Sequence, residues 1–239
     1  MIRNVTALTQ RELYATFFSP VAYVVATVFL VATGYLFTTT TLLPGAEASV
    51  KPMLDSMALL LVFAVPLLTM RALSEEFASG TIETLMTAPV TDFQVVFSKF
   101  LGVLLFYAAL LLTTVVHVGL LFKYGGAEVS VVLYGYVGML LLGALYIAVG
   151  IFASALTRHQ LVAAIIAMGV LSLFTLVIDA IASWKGGAWR TALGYVNIVR
   201  HFQDFSKGIF DTGAVVFFLS GTIFFLFVAV KALESRRWR

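Results

Sequence analysis

Six continuous apolar runs divide this chain of 239 residues and leave it few folds to choose from. The first covers 21–43, holds no charged side chain, and is bracketed by Pro20 and Pro44. The second covers 53–70, with Asp55 at its entrance and Pro66 inside, where a kink is expected. The third lies between Lys99 and Lys123 and the fourth between Glu128 and Arg158. The fifth follows His159 and ends near Trp184 with Asp179 in its last turns; the sixth lies between Asp211 and Lys231. Each approaches the ~20 residues that carry a helix across ~30 Å of hydrocarbon. Strands of a membrane barrel would alternate apolar and polar positions over short segments, and these runs do not alternate. With 61% hydrophobic and 11% charged residues, the expected class is an all-α integral membrane protein with six transmembrane helices. No repeat, linker or low-complexity stretch divides the chain, so one transmembrane domain over 1–239 is the economical reading.

The polar residues define its ends. An even number of spans puts both termini on one side. Arg3, Arg11, Arg71, Lys99, Arg158, Lys231, Arg236, Arg237 and Arg239 then share that side, against Lys51 and Lys123 in the two short opposite connections. Positive-inside asymmetry places the termini and the 71–99 connection in the cytoplasm. The net charge of +3 therefore reads as a topology signal, with no phosphate-binding face for nucleic acid. Absence of cysteine excludes disulfides, a thiolate nucleophile and Cys-based metal sites. No catalytic or metal-ligating set is assigned.

Residues 1–19 mix Arg3, Arg11 and Glu12 with scattered apolar positions, unlike a cleavable signal, so the mature chain is expected to begin near Met1. Ile2, Val5, Leu8, Leu13, Phe17 and Phe18 fall on one helical arc, with Asn4, Gln10, Arg11 and Glu12 mostly elsewhere. The pattern predicts an amphipathic helix lying in the membrane interface.

The connection between the second and third spans is longer than a hairpin requires and is densely charged. Residues 74–79 are expected to extend the second span, with Gly80 breaking the helix and 81–87 forming two further turns. Glu83 would sit in the first turn, favoured by the helix dipole. Pro89 biases Ala88 out of the helical region and ends it. Thr91 with Gln94 reads as a capping box for the third span, with Val90 and Val95 as its staple. Ile82, Leu85 and Met86 keep an apolar face on this short helix, which could rest on the membrane or fill a partner's groove.

The run Arg71…Glu75-Glu76…Gly80-Thr81-Ile82-Glu83…Leu85-Met86…Pro89-Val90…Lys99 resembles the ABC-2 type transporter permeases, whose E-x-x-x-G-T-x-E-x-L-x-x-x-P pattern forms the coupling helix that docks on the ATPase. Asn197, His201-Phe202, Asp204-Phe205, Lys207-Gly208 and Asp211, followed by an apolar span closing in Arg236-Arg237-Trp238, are similar to the small permeases of gliding motility and nitrous-oxide-reductase maturation. The resemblance implies that 71–93 is a cytoplasmic coupling segment using Glu75, Glu76, Gly80, Thr81, Glu83, Leu85, Met86 and Pro89. It implies short re-entrant helices within 184–211, where Asn197, His201, Phe202, Asp204, Phe205 and Lys207 would form an extracytoplasmic gate or partner surface. It further implies a separate ABC ATPase subunit carrying ATP and magnesium, a second permease copy or sister permease, and residence in the bacterial inner membrane. This chain has no Gly-rich phosphate loop and would bind neither cofactor itself.

Other readings remain at this point. Ile198, Phe202, Phe205 and Ile209 recur at helical spacing, with Arg200–Asp204 and Asp204–Lys207 pairs possible, which equally describes an interfacial helix. Asp55, His117 and Asp179 fall toward the outer leaflet, where they pair or snorkel, or else relay protons. Gly138, Gly143 and Gly150 in the fourth span are read as packing positions. The expected function is ATP-driven export of an unidentified substrate. The alternative is transmission of ATPase motion to an extracytoplasmic or accessory membrane partner without moving cargo. A secondary transporter is remote, since inverted repeats and interrupted midplane helices are not evident.

Overall fold

The computed structural model describes residues 2–41, 49–82, 90–124, 128–185 and 193–237. They are almost entirely helical, with no strand among them. In chain order the helices are α1 (Ile2–Phe17), α2 (Pro20–Thr40), α3 (Lys51–Thr69), α4 (Ser74–Ser79), α5 (Asp92–Tyr124), α6 (Val129–Leu156) and α7 (Gln160–Ser172). A π-helical stretch, Leu173–Val177, joins α7 to α8 (Ile178–Lys185), and α9 (Ile198–Ser206) and α10 (Thr212–Arg237) complete the chain. Six helical segments are long and apolar enough to cross a membrane, as the runs required. The protein is an all-α, multi-pass integral membrane protein. Pro66 is accommodated within α3, which continues to Thr69.

Helix α6 is the axis. It packs on α3, α5, α7, α9 and α10, and its glycines explain how. A Cβ on Gly143 would lie 2.1 Å from the Tyr107 ring of α5, one on Gly150 2.0 Å from Thr69 of α3, and one on Gly138 2.6 Å from Phe205 of α9. Without Cβ atoms the backbone lets large neighbours sit directly on it, which is how helices gain close packing where hydrocarbon offers no hydrophobic drive. Tyr107, wholly buried, also donates to the Met139 carbonyl of α6 at 2.8 Å, so the contact is both close and hydrogen-bonded. By contrast α2 leaves Tyr23, Val24, Val28, Val31 and Tyr35 exposed along one side, and α10 leaves Val216, Ile223, Phe224 and Phe227. Apolar side chains on such faces cost nothing against lipid.

The π-helical stretch was not expected. Thr175 within it is buried, and its hydroxyl lies 3.3 Å from that of Tyr146 on α6. The apolar pattern reports only that this segment is helical, not the extra residue in its turn.

At the end of the bundle opposite the termini, α9 lies against α6 and α3. Ile198, Phe202 and Phe205 are buried, but Ile209 is not part of that stripe and is exposed. The cause is local. Gly208 takes φ +80°, with its N–H on the Phe205 carbonyl (3.0 Å) and the Ile209 N–H on the Asp204 carbonyl (2.9 Å), a Schellman closure that turns the chain away. Asn197 caps the helix by accepting from the Arg200 N–H at 3.2 Å. Of the two expected ion pairs, Asp204–Lys207 forms loosely at 3.9 Å. Arg200 instead folds over Gly194, where an added Cβ would meet its guanidinium.

Candidate functional site

The site is the opposite end of the bundle, where α1, α4, the start of α5 and the ends of α6 and α10 converge. α3 ends at Thr69, and after a turn through 70–73 the chain re-enters the short helix α4. Ser154 on α6 makes that restart possible. Its hydroxyl accepts from the N–H groups of Leu73 and Ser74, both at 2.9 Å, and donates to the Met70 carbonyl at 3.1 Å. Helix starts leave N–H groups without intrahelical partners, and here a side chain 80 residues away in sequence supplies the acceptor. Gly80 then ends α4 in the left-handed region at φ +74°, as its position implied. The start of α5 carries the expected box, with the Thr91 N–H on Gln94 Oε1 at 3.1 Å and the Gln94 N–H on Thr91 Oγ1 at 3.3 Å.

The charges fall into two sets. Arg71 pairs with Glu75 in fork geometry, Nε to Oε2 at 2.8 Å and Nη2 to Oε1 at 2.7 Å. Glu76 turns the other way. Lys99 of α5, only 3% exposed, donates to Glu76 Oε1 at 2.8 Å and to Glu12 Oε1 of α1 at 3.1 Å. Arg11 of α1 reaches the same two oxygens, Glu76 Oε1 at 3.2 Å and Glu12 Oε1 at 2.9 Å. Two cations and two carboxylates thus form a neutral knot joining three helices. A hydrogen bond to Glu12 holds the Arg11 pKa above its ordinary value, against desolvation.

The knot corrects the expected arc of α1. Glu12 does not lie with the polar face: α1 packs on α5 at Gly102, where an added Cβ would meet Glu12 Cβ at 2.8 Å, and this turns Glu12 toward Lys99. Phe17 packs edge-on against Phe106 (5.0 Å). Phe18 lies past the end of α1 and is exposed.

From the far side, Arg236 of α10 lies 4.6 Å over the Phe77 ring of α4 and donates to the Leu156 carbonyl. Both chain ends therefore meet the 71–82 segment at one end of the bundle.

Of the residues expected to act in coupling, Glu75, Glu76, Gly80 and Thr81 are brought together at α4, with Thr81 exposed and Ile82 buried. Glu83, Leu85, Met86 and Pro89 lie outside the described residues. Of the second set, Asn197, Phe202 and Phe205 are interior, while Lys207 is exposed and His201 stacks on Phe217 at 4.2 Å. Asp55 lies near Ser206 at the end of α9, whose hydroxyl donates to the Gln203 carbonyl at 3.1 Å. His117 packs edge-on against Phe37 at 5.1 Å, joining α5 to α2. For Asp179 only the backbone is described.

A search of curated proteins returned no match. Residues 3–216 match the family model described as ABC-2 family transporter protein, a span that takes in α1, the α4 base, α9 and the start of α10. The chain belongs to that family, as an ABC-2 type permease.

Proposed function

We propose that this chain is the membrane-spanning subunit of an ATP-driven exporter, with 71–93 receiving the motion of a separate ATPase subunit that binds ATP and magnesium. Two copies, or this chain and a sister permease, form the path in the bacterial inner membrane, with both termini cytoplasmic. The observation that carries this reading is the mechanical tethering of α4. Ser154 ties it to α6, the Lys99 knot ties it to α1 and α5, and Arg236 ties it to α10. A push on this short helix is therefore delivered to four others rather than absorbed by a loop. The surface around α9, where Tyr195, Lys207 and Phe210 are exposed, is where an outer gate or partner would meet the chain.

The test uses Thr81→Arg with Glu83→Arg, because Thr81 is exposed whereas Glu76 is consumed by Lys99 and Arg11. A co-expressed ATPase subunit should co-purify with the wild-type chain and be reduced at least about tenfold by the two introduced cations. Undiminished binding would move the contact away from 71–93, and no binding to either form would reject ATP coupling.

A further inference from the structure

An open cavity of about 590 Å³ lies between α1, the start of α2, the end of α3, α4 and α5, at the boundary where two spans begin and end. Its lining is two-sided. Ala15, Val21, Leu67 and Val103 make an apolar wall, and Arg11, Glu12, Arg71, Glu75, Glu76 and Lys99 a charged one. Three cations and three carboxylates leave the charged wall formally neutral, which gives a simple anion little net attraction. It suits a molecule carrying both signs a few atoms apart. Unused valences remain for each sign. Glu75 lines the cavity with its side chain 45% exposed and, among the described residues, accepts one Arg71 N–H on each oxygen, which leaves each oxygen a further acceptor position. Arg11 engages its carboxylates through Nη2, and more than half of its side chain is exposed. Phe18, also lining the cavity, is 78% exposed, an aromatic ring at the level where lipid headgroups meet acyl chains.

We infer that this cavity binds the headgroup of a phospholipid bearing a primary ammonium, with its phosphate against Arg11 and Arg71, its ammonium against Glu75, and its acyl chains over Phe18 and Val21. A choline headgroup has the same charges but no N–H to give a carboxylate. A glycerol headgroup has no cation. The chemistry therefore discriminates among lipids of one acyl composition. This assignment does not depend on an ATPase partner.

The purified full-length chain, presented with equimolar phosphatidylethanolamine, phosphatidylcholine and phosphatidylglycerol of identical acyl chains, is weighed by native mass spectrometry. The ethanolamine lipid should be retained at one per chain, at least about tenfold over either competitor. Ala15→Phe, which fills the cavity from an exposed position without changing any charge, and Arg71→Gln should each reduce that retention at least about tenfold. Leu112→Phe, on an exposed apolar face of α5, should leave it unchanged. Equal retention of the three lipids, preference for the glycerol lipid, or retention indifferent to Ala15→Phe would overturn the inference. Displacement by soluble phosphoethanolamine would overturn its assignment to a membrane lipid.

Discussion

Replacing Lys99 by methionine removes the ammonium at the centre of the α1–α4–α5 knot and leaves the rest of the fold untouched. Lys99 is 3% exposed, and its two carboxylate partners are each 16% exposed. Removing one partner of a fully buried pair costs about 3–5 kcal/mol, because the remaining charge is left uncompensated. Here Arg11 still reaches both oxygens, and both carboxylates keep some solvent, so we expect about 2–3 kcal/mol. Unfolding of the purified protein in mixed micelles by increasing dodecyl sulfate, followed by circular dichroism, would read this loss. A double-mutant cycle with Glu76→Gln should return a coupling of at least about 1 kcal/mol, since the two side chains share one network. A cost below about 1 kcal/mol, the range of exposed ion pairs, would refute the argument that the knot is buried and cohesive. So would a coupling near zero, because Lys99 would then be stabilising something other than Glu76.

Ser154→Ala removes the shared acceptor for the Leu73 and Ser74 N–H groups and should cost about 1–3 kcal/mol. Faster amide exchange confined to 73–77 would show that the loss is local to α4, and unchanged exchange there would contradict it. Gly143→Ala places a methyl 2.1 Å from Tyr107, so α5 and α6 must separate at a cost of about 1–3 kcal/mol. A lower sulfate midpoint with altered near-ultraviolet dichroism from Tyr107 is expected, and an unchanged midpoint would mean the helices are further apart than described.

What the sequence made legible was whatever is decided within a few residues. The spans follow from length and polarity, the Thr91–Gln94 box from a three-residue spacing, and the end of α4 from Gly80. The Lys99 knot was hidden because Glu12 and Lys99 are 87 residues apart. No helical periodicity could show that Gly102 lets α1 come close enough to turn Glu12 inward. Glu76 was read as a partner-facing carboxylate for the same reason: its cationic partners lie on other helices. Ile209 was assigned to the α9 stripe because its spacing is right, whereas the left-handed Gly208 one residue earlier decides its direction. The π-helical turn sets the Thr175 hydroxyl beside that of Tyr146, a tertiary contact invisible to hydropathy.

The glycines of α6 also bear on how a sequence of this kind can drift. Positions 138, 143 and 150 each admit a different neighbour, so a side chain gained at any of them must be answered by a smaller one on another helix. The outward faces of α2 and α10 carry no such obligation and can exchange one apolar residue for another singly. Divergence should therefore run quickly over the lipid-facing surface and by matched pairs along α6, which makes that helix the slow clock of the molecule.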